Sequence, residues 1–301
     1  MAILRIRHST TYRYRKPVRF GEHRLMLRPR DSFDQQILSA RLTISPSPCE
    51  QRQLHDVFGN CVGLVRFGEA ADTLRFDSEL LVEHRPCFLD DADEACLASG
   101  AAFPFSYDAE EAPDLSRLIE RSHPDPSGAV EFWARRFLRW NGRTPLLSLL
   151  ADMTRAVHAD FGYARRLEAG IQTPAETLAL NTGTCRDFAV LMIEACRSLG
   201  LAARFVSGYI HTPPRKGERP HLGGGHTHAW VQVYLPASGW VDFDPTNGIV
   251  GNRDLVRVSV ARDPRHTSPI CGSWDGEAED YLDMAVEVLV DAEPEALKAV
   301  G

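Results

Sequence analysis

Residues 183–210 read GTCRDFAVLMIEACRSLGLAARFVSGYI, and the hydrophobic period changes in the middle of this stretch. A Gly-Thr turn delivers Cys185 to the start of an apolar run that Gly200 closes, as glycine commonly closes helices. Beyond Gly200 the period shortens to two in ARFVSGYIH, which is the alternation of a strand. A buried helix running straight into a buried strand is therefore the unit around which the neighbouring segments must pack.

Downstream, THAWVQVYLP and GWVDFDP flank Pro236-Ala237-Ser238-Gly239 and read as a β-hairpin, with LVRVSVARD and YLDMAVEVLVD as later strands. Upstream lie helical segments. AVEFWARRFLRW follows the start signal Asp125-Pro126-Ser127, and TPLLSLLADMTRAVHADF carries Pro145 where a helix start tolerates proline. TPAETLALN has Thr173 as N-cap, Pro174 next and Glu176 three residues after the cap, the arrangement of a capping box. Helices first and antiparallel strands after predict an α+β domain. Residues 1–88 instead form short alternating runs broken by turns (ILRIRHSTTYRYR, HRLMLRP, ILSARLTISPSP, DVFGNCVGLVRFG, TLRFDSELLVEHRP), which predicts an all-β, sandwich-like unit. Between Leu89 and Gly128 the chain turns acidic and proline-rich, as a surface connection does. The expected division is a β domain over 1–95 and a catalytic core with C-terminal strands over 96–295.

The 301 residues are 44% hydrophobic and 25% charged, enough apolar material for two medium cores. A net charge of −7 argues against a general nucleic-acid binder, which needs excess Lys and Arg to neutralise phosphates. No apolar run approaches the ~20 residues of a membrane-spanning helix. The start MAILRIRHSTTYRYRKP lacks a secretory apolar segment, so a cytoplasmic location without membrane contact is expected. Cysteines at 49, 61, 87, 96, 185, 196 and 271 form an odd set without CxxC spacing, and reduced thiols are expected.

Among those thiols Cys185 stands apart, because the unpaired N–H groups and dipole of a helix start favour negative charge on sulfur. Cys196, eleven residues on within LMIEAC, reads as a buried helix cysteine. His228 follows three glycines at a loop-to-strand junction, where an imidazole can serve as general base; His226, on the same face if both are in the strand, is its competitor. Asp244 ends the neighbouring strand, held extended by Pro245, and competes with Asp242 for the role of orienting His228 through Nδ1. Parity sets a condition on that role. A regular two-residue turn at Ala237-Ser238 would place Val231 opposite Asp244 and turn the carboxylate away from His228, so an odd-length loop or a bulge is required. The backbone N–H of Cys185 is the natural first oxyanion donor, with Tyr163 and Asn181 as candidates for a second.

The stretch 183–210, followed by HTHAWVQVYLPASGWVDFDPTNG, closely resembles the transglutaminase-like core family, and RIRHSTTYRYRKPVRFGEHRLMLRPRD resembles the β-rich region preceding that core in bacterial members. The resemblance implies a papain-like fold in which Cys185 is the nucleophile, His228 the base and Asp244 the orienting acid. It also implies a cysteine peptidase, amidase or transglutaminase that works on peptide or protein amides through a thioester, without a cofactor. ATP-grasp proteins and the proteasome-like peptidase Anbu are the functional partners it suggests. The core shows no acidic cluster resembling a calcium site. Two other classes compete with this reading: a metal-assisted hydrolase built on His226, His228, Asp244 and Cys185, and a non-catalytic interaction module. Arg262 and Asp263 resemble an element that follows the family's core, and an ion pair within a turn is expected of them.

Overall fold

The computed structural model describes residues 2–86, 101–140, 142–164, 170–215, 220–236 and 238–293. The division expected near residue 95, together with Cys87 and Cys96, lies outside the described residues.

The helix Cys185–Ser198 is buried around nearly its whole circumference, so its sequence is apolar all round rather than striped. Helices Ala129–Arg135, Leu146–Asp160 and Pro174–Leu180 cover one side of it. Its other side lies on a five-stranded antiparallel sheet ordered Ile249–Val250, Gly239–Asp244, His228–Leu235, Ala203–Ile210, Leu255–Ala261. Alternation sorts the strands: Ala229, Val231, Val233 and Leu235 join Phe205 and Phe243 against the helices, while Trp230 packs with Val206 and Val260 in a separate cluster. Phe58 of the N-terminal region covers that second cluster.

The helix ends follow local chemistry. The Thr173–Glu176 capping box forms as expected, and Gly200 closes the cysteine helix at φ +80. Asp125 does not cap directly; its carboxylate reaches forward to the Val130 and Glu131 amides, and the helix stops at Arg135, short of the run read from sequence. The acidic stretch before it is more than a connection, because it holds the helix Ala112–Ile119 with Leu115 buried.

The N-terminal region is a two-sheet sandwich. One sheet centres on Ala2–Phe20, flanked by Ala71–His84 and then Gln35–Ser45; the other pairs Ile270–Cys271, His23–Leu25, Cys61–Arg66 and Glu50–His55. Tyr14, Phe20, Leu25, Val65, Leu74 and Phe76 fill the space between them. Strand Tyr281–Ala292, expected with the catalytic core, pairs instead with Ala2–Phe20 over Leu4–Tyr14. The end of the chain thus returns to the N-terminal sheet. The physical reason is the free edge of that first strand, which the apolar Val286, Val288 and Val290 cover while also packing on Tyr209, Val256 and Val258 of the core.

That seam joins the two units. Across it His8 Nδ1 and the Tyr209 hydroxyl are 2.9 Å apart, and Arg257 grips both oxygens of Asp34. Burial pushes the His8 imidazole down to about 4.

Candidate functional site

Three backbone features converge on the site. The first is the start of the cysteine helix. Thr184 is its N-cap, and both its amide and hydroxyl donate to Asp187 Oδ2 at 2.8 Å, while Asp187 Oδ1 accepts from the Gln172 amide at 2.8 Å. This capping box consumes the cap's own groups and leaves the Cys185 amide, which has no carbonyl within its helix, as the leading donor of the first turn. Cys185 itself is 8% exposed.

The second is the register of the hairpin. Leu235 pairs with Gly239, Gln232 with Asp242 and Val231 with Phe243, so three residues close the loop and Asp244 comes level with Trp230. This is the odd-length solution, and it puts Asp244 diagonal to His228 on a shared face. His228 Nε2 lies 2.8 Å from Asp244 Oδ2, with both side chains fully buried. The bonded nitrogen differs from the Nδ1 expected from the sequence. Asp244 occupies Nε2, so Nδ1 is the nitrogen left for the thiol. Nδ1 makes no hydrogen bond of ordinary geometry among the described residues, although Cys185 lies close enough to raise the pKa of the ring.

The third is the turn after the aspartate. Thr246 N–H donates to Asp244 Oδ1 at 2.9 Å, and Asn247 Nδ2 donates to Asp244 Oδ2 at 2.8 Å. Burial alone would raise the Asp244 carboxyl; the His228 charge, with the His228, Asn247 and Thr246 hydrogen bonds, holds it below its ordinary value. Burial likewise disfavours the charged imidazole, but Asp244, seconded by Cys185, pushes His228 up to about 10. Each partner therefore favours the charged form of the other. The His228 ring stacks on Trp230 at 6.0 Å between centroids, which fixes its plane.

The competitors are placed elsewhere. Asp242 accepts from Trp230 Nε1 at 2.6 Å, and its burial pushes its carboxyl up. His226 is exposed in the loop before the strand. Among the described residues no three His, Cys, Asp or Glu side chains gather as a metal site requires, so the His226, His228, Asp244 and Cys185 set does not assemble. Tyr163 sits in a two-residue strand, Gly162–Tyr163, paired in parallel with Thr182–Gly183 just before Cys185, and packs on the helical core. Asn181 is exposed at φ 49 as the C-cap of Pro174–Leu180, and its carbonyl accepts from Gly162 N–H. Tyr163 is thus near the helix start, whereas Asn181 shapes the turn through its backbone. Arg262 and Asp263 do not pair with each other: Arg262 binds the Arg117 and Glu120 carbonyls, and Asp263 binds Arg265.

Sequence reading missed Asp187, Asn247 and the buried pair Glu194–Arg197. T-x-x-D at the cysteine helix was the available signal for the first. Glu194 and Arg197, each 1% exposed and 2.8 Å apart, also bind the Ser122 and His123 amides and the Leu118, Ala203 and Arg262 carbonyls. They tie the cysteine helix to its surroundings one turn before its end.

Comparison with known proteins identifies the family and the fold. The profile of the transglutaminase-like superfamily matches residues 139–245, and that of the bacterial transglutaminase-like N-terminal region matches residues 4–83. An uncharacterized protein of Mycobacterium tuberculosis is 31% identical over 98% of this chain and 95% of its own length. The chain belongs to the transglutaminase-like superfamily. As a transglutaminase-like protein it shares its fold with a putative cysteine protease from Cytophaga hutchinsonii, whose crystal structure superposes with a TM-score of 0.71 at 20% identity over 96% of this chain and 90% of the other. A protein-glutamine gamma-glutamyltransferase of Pseudomonas aeruginosa is 27% identical over 38% of this chain and 18% of its own length. The transglutaminase-like fold is that of cysteine acyl-transfer proteins.

Proposed function

We propose that this protein is an acyl-transfer enzyme that attacks peptide or protein amides through Cys185. The observation that carries the reading is the buried His228–Asp244 pair, 2.8 Å apart, with the cysteine of a capped helix start among the groups acting on the imidazole. Stability alone does not favour such a group, since an apolar pair of the same volume would often cost less to bury, and unlike Glu194–Arg197 it has a cysteine beside it.

In the proposed cycle the His228 imidazolium and Cys185 thiolate form the resting pair. Sulfur attacks the amide carbonyl, and the developing oxyanion meets the Cys185 N–H. As the C–N bond breaks, His228 passes its Nδ1 proton to the leaving amine, giving a thioester and a neutral imidazole. Water or a primary amine then attacks the thioester while Nδ1 takes its proton, and collapse restores the thiolate with release of acid or new amide. Asp244 keeps Nε2 protonated throughout, so the exchangeable proton is always at Nδ1.

The test is capture of the intermediate. The protein is incubated with a peptide library rich in glutamine amides, quenched in acid and read by mass spectrometry. An acyl adduct on the Cys185 peptide, absent in Cys185→Ala and removed by hydroxylamine, is expected. An adduct that persists in Cys185→Ala, or its absence across amide donors while iodoacetamide still labels the thiol, would sink the proposal.

A further inference from the structure

The carboxamide of Asn247 makes bonds on two sides. Nδ2 donates to Asp244 Oδ2, the same oxygen that receives His228 Nε2, and also to the Leu222 carbonyl at 3.2 Å, while Oδ1 accepts from Leu222 N–H at 2.7 Å. Leu222 is followed by Gly223, whose backbone has φ +92 and lies so close to the imidazole that a Cβ there would stand 2.6 Å from His228 Nδ1. The glycine is needed twice, for a left-handed backbone and for this approach. Two residues on, the Gly225 carbonyl accepts from Val288 N–H at 3.1 Å, and one residue before Leu222, His221 Nε2 lies 2.9 Å from Asp254 Oδ2. The segment is thus moored at both ends, and among the described residues Asn247 is the mooring that also touches the His228–Asp244 pair.

We propose that Asn247 is a positioning residue that sets both faces of the His228 imidazole: it holds the Asp244 carboxylate against Nε2 and the Leu222–Gly223 backbone against Nδ1. The assignment rests on the acyl-transfer reading only for its catalytic consequence. The placement of the ring follows from the hydrogen bonds alone.

Two substitutions probe the three bonds. Asn247→Ala removes all of them. Asn247→Asp keeps an acceptor for Leu222 N–H but replaces the donor facing Asp244 with a second carboxylate. In the full chain, the far-downfield proton resonance of His228 Nε2–H reports the Asp244 bond, and iodoacetamide reports Cys185 reactivity. Since a hydrogen bond to a charged group is worth about 10- to 100-fold, labelling at neutral pH is expected to slow by about that factor in Asn247→Ala. Asn247→Asp should be at least as slow, and the resonance should shift or broaden in both. Labelling and resonance both at wild-type values in either folded variant would overturn the proposal. So would rapid solvent exchange of the Asn247 carboxamide protons in the unaltered protein, a measurement that needs no variant to fold. A protein that forms no thioester but whose resonance moves in Asn247→Ala supports the positioning role and refutes only the acyl-transfer reading.

Discussion

Asp244→Asn is the most informative single change, because it keeps shape and removes charge. The rise of His228 from 6.5 to about 10 amounts to about 5 kcal/mol favouring the imidazolium, and Asp244 is the largest group raising it. Asparagine can still accept from Nε2–H, but its amide group then faces the Thr246 N–H, donor against donor, 2.9 Å from where Oδ1 accepted. If roughly half of the 5 kcal/mol survives as a neutral hydrogen bond, about 2.5–3 kcal/mol is lost, or about 100-fold in the population of the reactive pair. That loss should bring His228 down by about 2 pH units from about 10, which an NMR titration of its Cε1–H reads directly. Iodoacetamide labelling of Cys185 at pH 7 should slow by that ~100-fold. The stability cost has a definite window. A raised His228 contributes fully below 6.5 and loses its contribution as pH rises through about 10, and a lowered Asp244 contributes above 3.8 and loses it as pH falls. The difference in melting temperature between wild type and variant should therefore be largest between those two lower values and shrink toward pH 10. A variant with wild-type labelling and an unmoved His228 titration would refute the ion-pair account.

Other expectations follow from buried groups away from the reacting atoms. His8 is held neutral with its imidazole at about 4, so only the unfolded chain takes up the proton below 6.5; stability should fall by up to about 3 kcal/mol as pH drops through that interval, and thermal melts of His8→Gln should lose that slope. Arg197→Met strands the Glu194 charge and should cost about 3–5 kcal/mol in urea unfolding, with Glu194→Gln added to it recovering part of the loss. Cys196, whose thiol burial pushes up to about 12, should resist iodoacetamide in the folded protein, and Cys196→Ala should lower the urea midpoint by about 1 kcal/mol of stability while leaving Cys185 labelling unchanged.

The helix at Cys185 and the strand at His228 were legible because periodicity is a local rule, and parity narrowed the hairpin before Asp244 to an odd-length loop or a bulge, of which the structure has the former. What escaped was set by partners distant in sequence or by residues with no pattern. Glu50–His55 is exposed at every position, so no alternation marks it as a strand. The strand character of 281–292 was plain, but its partner lies more than 260 residues away and nothing local names it. Asn247 looks like an ordinary turn residue after Asp-Pro-Thr, and its role appears only when Leu222 comes alongside. The choice between Nδ1 and Nε2 likewise depends on the ring's rotation, which shows only in the contact of Nε2 with Asp244 Oδ2.

The pairing of Ala2–Phe20 with Tyr281–Ala292 has a consequence for synthesis on the ribosome. The first strand emerges early, gains Ala71–His84 on one side, and then waits with its other edge unpaired while some two hundred further residues are made. Only when residue 292 is out of the exit tunnel can that edge be capped, and the Val288 amide that reaches Gly225 arrives with the same strand. Nascent or truncated chains ending before residue 281 therefore carry an open edge and a glycine segment lacking one of its anchors. This timing links the pairing of the last described strand to the anchoring of the glycine segment beside His228.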